Sequence, residues 1–233
     1  MVGLIVLLVA SACRVDTTVD IRVDDDGSGR VAYTVVANAD AVSLLVDDPT
    51  DLRFDDLAAA GWNLDGPIAE GGGVTITASK PFLSPDELPG LLDELIGEGV
   101  VFSNVALEQA HDFSMLGLRP AETSYDFVAD VDPAPDLEIL GDAVIEGLLG
   151  SSLGRSLTRV EEDAGGSFAG SLGLVVNVQL PANVATDSEL GETVDNVVTW
   201  EFSYGDAPTT IDARASIDEI LPRVWSLVAI LSL

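Results

Sequence analysis

The strongest constraint on the fold is a strand pattern near the amino terminus. Apolar and polar side chains alternate over 15–23 (VDTTVDIRV), which is typical of a strand with one buried face. Residues 24–29 (DDDGSG) carry a turn signal, and 31–39 (VAYTVVANA) is typical of a second strand. We therefore predict a β-hairpin with an acidic, solvated tip, and the rest of the chain must cover its apolar face.

Helical and strand patterns follow in turn. Helices are predicted over 49–60, from Ser84 onwards and over 136–150. In the second helix Ser84 is the expected cap, with Glu87 three residues later. Its apolar stripe consists of Leu88, Leu91, Leu92 and Leu95. Strands are predicted over 62–64, 74–79, 100–107, 124–131, 197–204 and 209–216, together with a second acidic hairpin tip at 161–166.

This order of elements predicts an α+β fold. We expect a mainly antiparallel, curved β-sheet with about three helices packed on it, plus a short apolar C-terminal segment. The proline-rich stretch at 132–136 marks a candidate break between subdomains. Hydrophobic residues make up 47% of the chain, which is enough for a substantial core.

The charge balance excludes one class of partner. Asp and Glu total 40 against 10 Lys plus Arg, for a formal net charge of −30. Such a field repels nucleic acid at long range, so DNA and RNA binding are not expected. Solubility or adaptation to a saline habitat explains the acidity most simply, and the abundance of Ala, Val, Gly and Asp is typical of a GC-rich, actinobacterial genome.

The amino terminus resembles a lipoprotein signal peptide. Residues 1–12 (MVGLIVLLVASA) are apolar and end in small residues. The helix over 2–9 would reach only about 12 Å, against about 30 Å for a bilayer core. The following cysteine, Cys13, completes a lipobox-like VASAC motif, although Ala10 stands where Leu is commoner. No Lys or Arg precedes the apolar run, which leaves an upstream start codon as an alternative.

Cys13 is the only cysteine, so no disulfide can form within the chain. We expect cleavage before Cys13 and attachment of a diacylglyceryl group to its thiol, with a palmitate-type acyl chain on the new amino terminus. Two or three chains hold a protein firmly to a membrane, whereas one does not. The predicted location is the extracytoplasmic face of the cell membrane. An ordinary cleaved signal with an incidental cysteine is the alternative.

The C-terminal segment 217–233 is apolar but interrupted by Asp218, Glu219, Pro222 and Arg223. Its uninterrupted part, 224–233, is about half the length of a spanning helix. A packed terminal helix, an interfacial segment and the start of a membrane helix all fit this pattern.

Motifs for catalysis or metal binding are mostly missing. Asp24, Asp26 and Ser28 resemble the opening of a calcium loop, but Val35 stands where the bidentate carboxylate is needed. His111 is the only histidine, with Glu108 and Asp112 nearby, and no G-x-S-x-G elbow or phosphate loop occurs. We therefore expect no cofactor, no metal and no enzymatic activity.

Three segments carry a resemblance to the LppM-type domain of actinobacterial lipoproteins. They are the strand-rich start after the lipobox (CRVDTTVDIRVDDDGSGRVAYTVVANAD), the helix SPDELPGLLDELIG, and the closing pair NVVTWEFSYGDAPTTIDARAS. The resemblance covers about 13–216. It implies a lipid-tethered envelope domain that binds glycolipids of the phosphatidylinositol mannoside kind through an apolar groove. The short tail and the negative charge depart from that pattern.

Two main functions follow. The leading hypothesis is non-catalytic binding of a lipid or glycolipid in an apolar groove, with an assembly module for an envelope protein as the alternative. A hydrolase with Ser or Asp beside His111 is a third, weaker option. Five aromatic residues either line the groove or fill the core: Trp62, Phe82, Phe102, Phe113 and Trp200.

Overall fold

The computed structural model describes residues 14–45, 55–97, 99–112, 121–133 and 172–219. Eleven strands and three α-helices are found within these ranges. The strands are β1 Val15–Val23, β2 Gly29–Ala37, β3 Asn63–Glu70, β4 Gly73–Phe82, β5 Phe102–Asp112, β6 Ala121–Val131, β7 Leu172–Gln179, β8 Val184–Ala185, β9 Glu192–Val194, β10 Val197–Ser203 and β11 Thr209–Glu219; the helices are α1 Ala39–Leu45, α2 Asp55–Ala59 and α3 Leu88–Ile96.

The strands form two sheets rather than one curved sheet. The larger sheet has seven strands in the order β3-β4-β2-β1-β7-β10-β9, and the smaller has four in the order β5-β6-β11-β8. Neighbours are antiparallel except β1 and β7, which are parallel. The prediction of a mainly antiparallel α+β fold is confirmed in its strand orientation, but strands dominate over helices and the single curved sheet is wrong.

The predicted hairpin is β1 and β2, which pair from Val15 opposite Ala37 to Val23 opposite Gly29. Its acidic tip is not simply solvated. The Tyr125 hydroxyl, fully buried in the smaller sheet, donates a hydrogen bond to the Asp25 carbonyl oxygen. Gln109 Nε2 in turn donates to the Tyr125 oxygen at 3.1 Å. The tip therefore joins the two sheets at one end of the molecule.

One core lies between the two sheets and contains side chains from both. Its largest fully buried members are Trp200, Tyr125, Phe82, Phe127, Ile21, Leu88, Leu92, Leu180 and Ile211. Burying a side chain of this size contributes about 1.5–3 kcal/mol. Because strands from before and after the 132–136 stretch pair with each other, as β6 does with β11, both halves of the chain build the same core.

The helix α3 closes this core, and its predicted apolar stripe is confirmed. Leu88, Leu91, Leu92 and Leu95 are all buried. The predicted capping box forms only in altered form, through a 3₁₀ turn at Pro85–Glu87. The Ser84 side chain makes no capping bond, and Glu87 Oε2 accepts the N–H of Leu83 at 3.0 Å.

The other helices differ from expectation. Of the helix predicted over 49–60, the described part is α2, while 49–54 and the helix predicted over 136–150 lie outside the described residues. The helix α1 follows β2 directly, where we expected the strand to continue. Asn38 caps it, because its Oδ1 accepts the N–H of Ala41 at 2.9 Å.

Several predicted segments fall where the structure gives no description. The signal peptide 1–12, Cys13, the acidic tip 161–166 and residues 220–233 lie outside the described ranges. The strand β11 continues to Glu219, three residues into the C-terminal segment. None of the helices in the described ranges is long and apolar enough to cross a membrane.

A polar contact between Lys80, Trp62 and Glu94 holds α3 against the larger sheet. Glu94 Oε2 accepts hydrogen bonds from Lys80 Nζ at 2.7 Å and from the Trp62 indole at 3.0 Å. Lys80 also donates to the Ala60 carbonyl at 2.8 Å and lies 5.8 Å from the Trp62 ring centroid. The hydrogen bond from Lys80 is the main reason that the pKa of Glu94 is lowered.

Gly29, the first residue of β2, has no space for a side chain. A Cβ at this position would lie 2.1 Å from the Arg22 carbonyl oxygen and 2.4 Å from Phe82 Cζ. We expect Gly29→Ala to lower the free energy of unfolding by about 1–3 kcal/mol, measured by urea denaturation. Gly90→Ala in α3 is the control, since nothing lies within 4 Å of its added Cβ. It should be neutral or stabilise by up to about 1 kcal/mol, and equal losses in both variants would contradict the packing.

Glu94 gives a pH-dependent prediction. Its pKa is lowered in the folded state, so its contribution to stability is present above the unfolded pKa and is lost as pH falls through the folded pKa. Because Glu94 is 41% exposed, Glu94→Gln should cost only about 1 kcal/mol near neutral pH. That cost should shrink below about pH 4. Urea titrations in a Lys80→Met background are the control, where the pH-dependent part should be absent.

Candidate functional site

The inward face of the larger sheet is buried unevenly along its strands. Five of its strands, β4-β2-β1-β7-β10, pair without a shift in register, so their inward side chains form straight rows across the sheet. One such row, Ala78–Tyr33–Val19–Val176–Trp200, lies in the core. The next two rows toward the amino-terminal end of β1 are Ile76–Val35–Thr17–Leu174–Phe202 and Val74–Ala37–Val15–Leu172.

The central side chains of these two rows are only partly covered. Val15, Thr17, Val35, Leu172 and Leu174 are half-buried, whereas Val19 and Val176 in the preceding row are fully buried. Val35 and Leu172 belong to neither hydrophobic cluster formed by the described residues. We call these five side chains, four apolar ones and Thr17, the apolar shelf. It is an inward-facing part of the sheet that is less deeply buried than Val19 and Val176.

Two structures border the shelf. On one side α1 packs Ala41 and Val42 against Ala37, Val74 and Ile76, which together form a small second cluster. On the other side the shelf meets the main core, because Leu174 packs against that core and Phe202, in the same row as Leu174, is buried in it. The shelf therefore lies between the α1 cluster and the main core.

A pair of hydroxyl groups lies where the shelf meets the core. Burial raises the pKa of Tyr33, and a hydrogen bond with Thr17 lowers it in part. A raised tyrosine pKa indicates surroundings of low polarity. The two hydroxyls can donate to and accept from a polar group placed among apolar side chains.

Two clefts occur on the smaller sheet, and both are open and lined mainly by polar residues. One, of about 380 Å³, is lined by Ala110, His111, Asp112, Glu122 and Ser124. The other, of about 310 Å³, is lined by Ser124, Tyr125, Asp126, Asn183, Ala185, Arg214, Ala215 and Ser216. Neither resembles the enclosed apolar cavity of a typical lipid pocket.

His111 contacts a buried threonine. Its Nδ1 lies 2.9 Å from Thr123 Oγ1, and Thr123 is only 4% exposed. Ser124 lines the same cleft, but alternation along β6 places it on the opposite face from Thr123. This contact positions the imidazole ring at the edge of the cleft.

In the acidic tip, the Asp26 carboxylate forms hydrogen bonds within the turn. Asp26 Oδ1 accepts hydrogen bonds from the hydroxyl and the N–H of Ser28, the latter at 3.0 Å. These bonds lower the pKa of Asp26. In the part of the chain that the structure describes, no group of three acidic, histidine or cysteine residues could hold a metal ion.

The aromatic residues proposed for the groove fill the core instead. Trp62, Phe82, Phe102 and Trp200 are at most 4% exposed and belong to the main cluster, and Phe113 lies outside the described residues. Of the two alternatives, groove lining or core filling, the core position is confirmed for these four. The shelf residues were missed, although the alternation through Val15 and Thr17 indicates that they share a face with Val19.

The chain was compared with known proteins and solved structures. The NMR structure of the Mycobacterium tuberculosis LppM folded domain matches with 14% sequence identity and a TM-score of 0.48, covering 90% of this chain and 94% of that chain. No family model matches the chain, and no curated protein matches it either. At this distance the likeness assigns neither a family nor a role to any residue.

Proposed function

We propose that this chain is a lipid-anchored envelope protein that binds a lipid or glycolipid without catalysis on its apolar shelf. The observation that supports this proposal is the position of Val35 and Leu172. Both are apolar, inward-facing and half-buried, and neither belongs to a hydrophobic cluster of the described residues. Apolar area left on an inward sheet face favours an apolar occupant.

The shape of the shelf suits one acyl chain better than a folded partner. Its two rows are bordered by the α1 cluster and by the main core. Each methylene group removed from water contributes about 0.8 kcal/mol. Ten methylenes in contact would therefore supply several kcal/mol even if only partly covered.

The charge of the chain favours a neutral head group. With a net charge of −30, the protein repels anionic lipids at a distance. The hydroxyls of Tyr33 and Thr17 can hydrogen-bond to sugar or ester oxygens at the edge of the shelf. A glycolipid with an uncharged sugar fits both conditions.

The sequence places the proposed anchor next to the shelf. Cys13 precedes Val15 by two residues, and an extended chain advances about 3.3 Å per residue. A lipid on Cys13 would hold the shelf within about 10 Å of the membrane surface. The shelf would then receive its ligand from that membrane.

Matched variants on the two faces of β2 test the binding. Val35→Thr places a hydroxyl on the shelf, while Val36→Thr makes the same change on the outer face, where Val36 is 42% exposed. We expect Val35→Thr to weaken binding of digalactosyldiacylglycerol by roughly fivefold or more, because a polar group is buried under the acyl chain. Val36→Thr should bind like the unchanged protein. Native mass spectrometry of the full chain released from detergent measures both, and equal binding would refute the shelf as the site.

The anchor is tested separately. Cys13→Ser removes the thiol that the lipid would occupy, so the protein should lose metabolic labelling with palmitate and move from the membrane to the soluble fraction. Urea denaturation of the variant shows whether the fold is retained. Continued membrane association without label would point to another means of attachment, such as the C-terminal segment.

An assembly module remains the second candidate, and the smaller sheet supports it. Among the described strands, the 11-residue strand β5 is an edge of that sheet and pairs with β6 alone. An open edge of this length can accept a strand from another protein. Retained lipid binding with loss of a co-purifying protein after Ala106→Pro in β5 would favour this function over the first.

A further inference from the structure

Two arginines face each other on the outer side of the larger sheet. Arg22 in β1 is directly opposite Arg30 in β2. Their neighbours Ile21, Val23 and Val31 are buried on the inner side, so alternation puts both arginines on the outer side. Both are exposed, and the Arg22 side chain is 64% accessible.

The pair is poorly neutralised for so acidic a chain. Arg22 makes one long contact, from Nε to Asp24 Oδ1 at 3.4 Å. Arg30 has no hydrogen bond or ion pair to any part of the chain that the structure describes. Like charges directly opposite each other destabilise a sheet. The chain has 40 acidic residues against 10 basic ones. A carboxylate opposite either arginine would remove this repulsion.

Arg14 provides the contrast. It directly precedes β1, at the other end of the strand from Arg22, and its Nε donates to both carboxylate oxygens of Asp16, at 2.7 and 3.0 Å. That interaction raises the pKa of Arg14 through the hydrogen bond to Asp16. An arginine in this chain can therefore be fully paired within its own segment, and Arg30 is not.

The strands on either side of the arginine pair contribute one further hydrogen-bond donor, the amide of Gln179. Gln179 of β7 lies directly opposite Arg22 on its other side, and Pro81 of β4 lies opposite Arg30. The nearby carboxylates are Asp24 and Asp20, and Asp20 Oδ1 already accepts a hydrogen bond from Asn177 at 2.8 Å. Opposite Cα atoms in such a ladder are about 4.5–5.5 Å apart. Two guanidinium groups at this spacing can reach oxygens of one tetrahedral anion.

We propose that Arg22 and Arg30, with the amide of Gln179, bind a phosphate group. The guanidinium groups donate to its oxygens, and the bound anion cancels the repulsion between them. The phosphate can be free in solution or part of a lipid head group, and the chemistry of recognition is the same. This site lies on the outer face of the sheet, apart from the apolar shelf, and does not depend on lipid binding there.

Thermal unfolding of the full chain tests the site. Inorganic phosphate should raise the Tm above that in chloride at matched ionic strength, because a ligand that binds only the folded state stabilises it. Arg30→Gln should lose this rise and bind phosphate about tenfold more weakly or worse by calorimetry. Arg14→Gln, which removes an arginine already paired with Asp16, should behave like the unchanged protein. An equal Tm rise in all three proteins, or none in any, would overturn the proposal.

The Tm measured in chloride alone shows whether Arg30→Gln changes the stability of the fold. In chloride alone Arg30→Gln should unfold at the same temperature as the unchanged chain or slightly higher, since the repulsion with Arg22 is removed. A lower Tm in chloride would mean that Arg30 is structural, and would contradict the assignment.

Vesicles separate the two sources of phosphate. The Cys13→Ser chain is mixed with phosphatidylcholine vesicles, with or without phosphatidic acid, and sedimented. Binding only to the phosphatidic acid vesicles, competed by inorganic phosphate and lost in Arg30→Gln, supports a head group. Binding of free phosphate alone supports a soluble ligand. Absence of both overturns the site.

Discussion

The burial of the inward face of β1 is the interaction on which the rest of the structure depends. This strand pairs antiparallel with β2 and parallel with β7, so it joins the two halves of the larger sheet. Val19 and Ile21 on its inner face are 0% and 1% exposed and contact the core formed with the smaller sheet. Since the chain has no disulfide, this packing must supply most of the stability of the fold.

The uneven burial of the inward face then creates the candidate site. Val19 and Val176 are fully buried, whereas Val35 and Leu172, further along the same face, are only half-buried and belong to neither hydrophobic cluster of the described residues. A shared core and a partly covered apolar face thus arise from the same alternation of side chains.

The parts of the fold that were predictable depend on local patterns. The β1–β2 hairpin follows from the period of two and the turn at Gly27, and α3 follows from Leu88 and Leu91 at helical spacing. The β1–β7 pairing joins residues more than 150 positions apart, and no local pattern reports it. The shelf depends on that pairing, and the second sheet depends on the equally non-local pairing of β6 with β11. The core position of Trp200 was therefore not distinguishable from a groove position by sequence.

The two proposed sites lie at opposite ends of β1, and this separation has a physical consequence. Val15 and Arg22 are seven residues apart, which corresponds to about 23 Å along a strand. If a lipid on Cys13 holds the shelf at the membrane and β1 stands along the membrane normal, Arg22 and Arg30 lie more than two Debye lengths from that surface at physiological salt. The arginine pair would then be screened from the anionic head groups of its own membrane. A soluble phosphate compound, or a second surface facing the first, is the ligand this geometry favours.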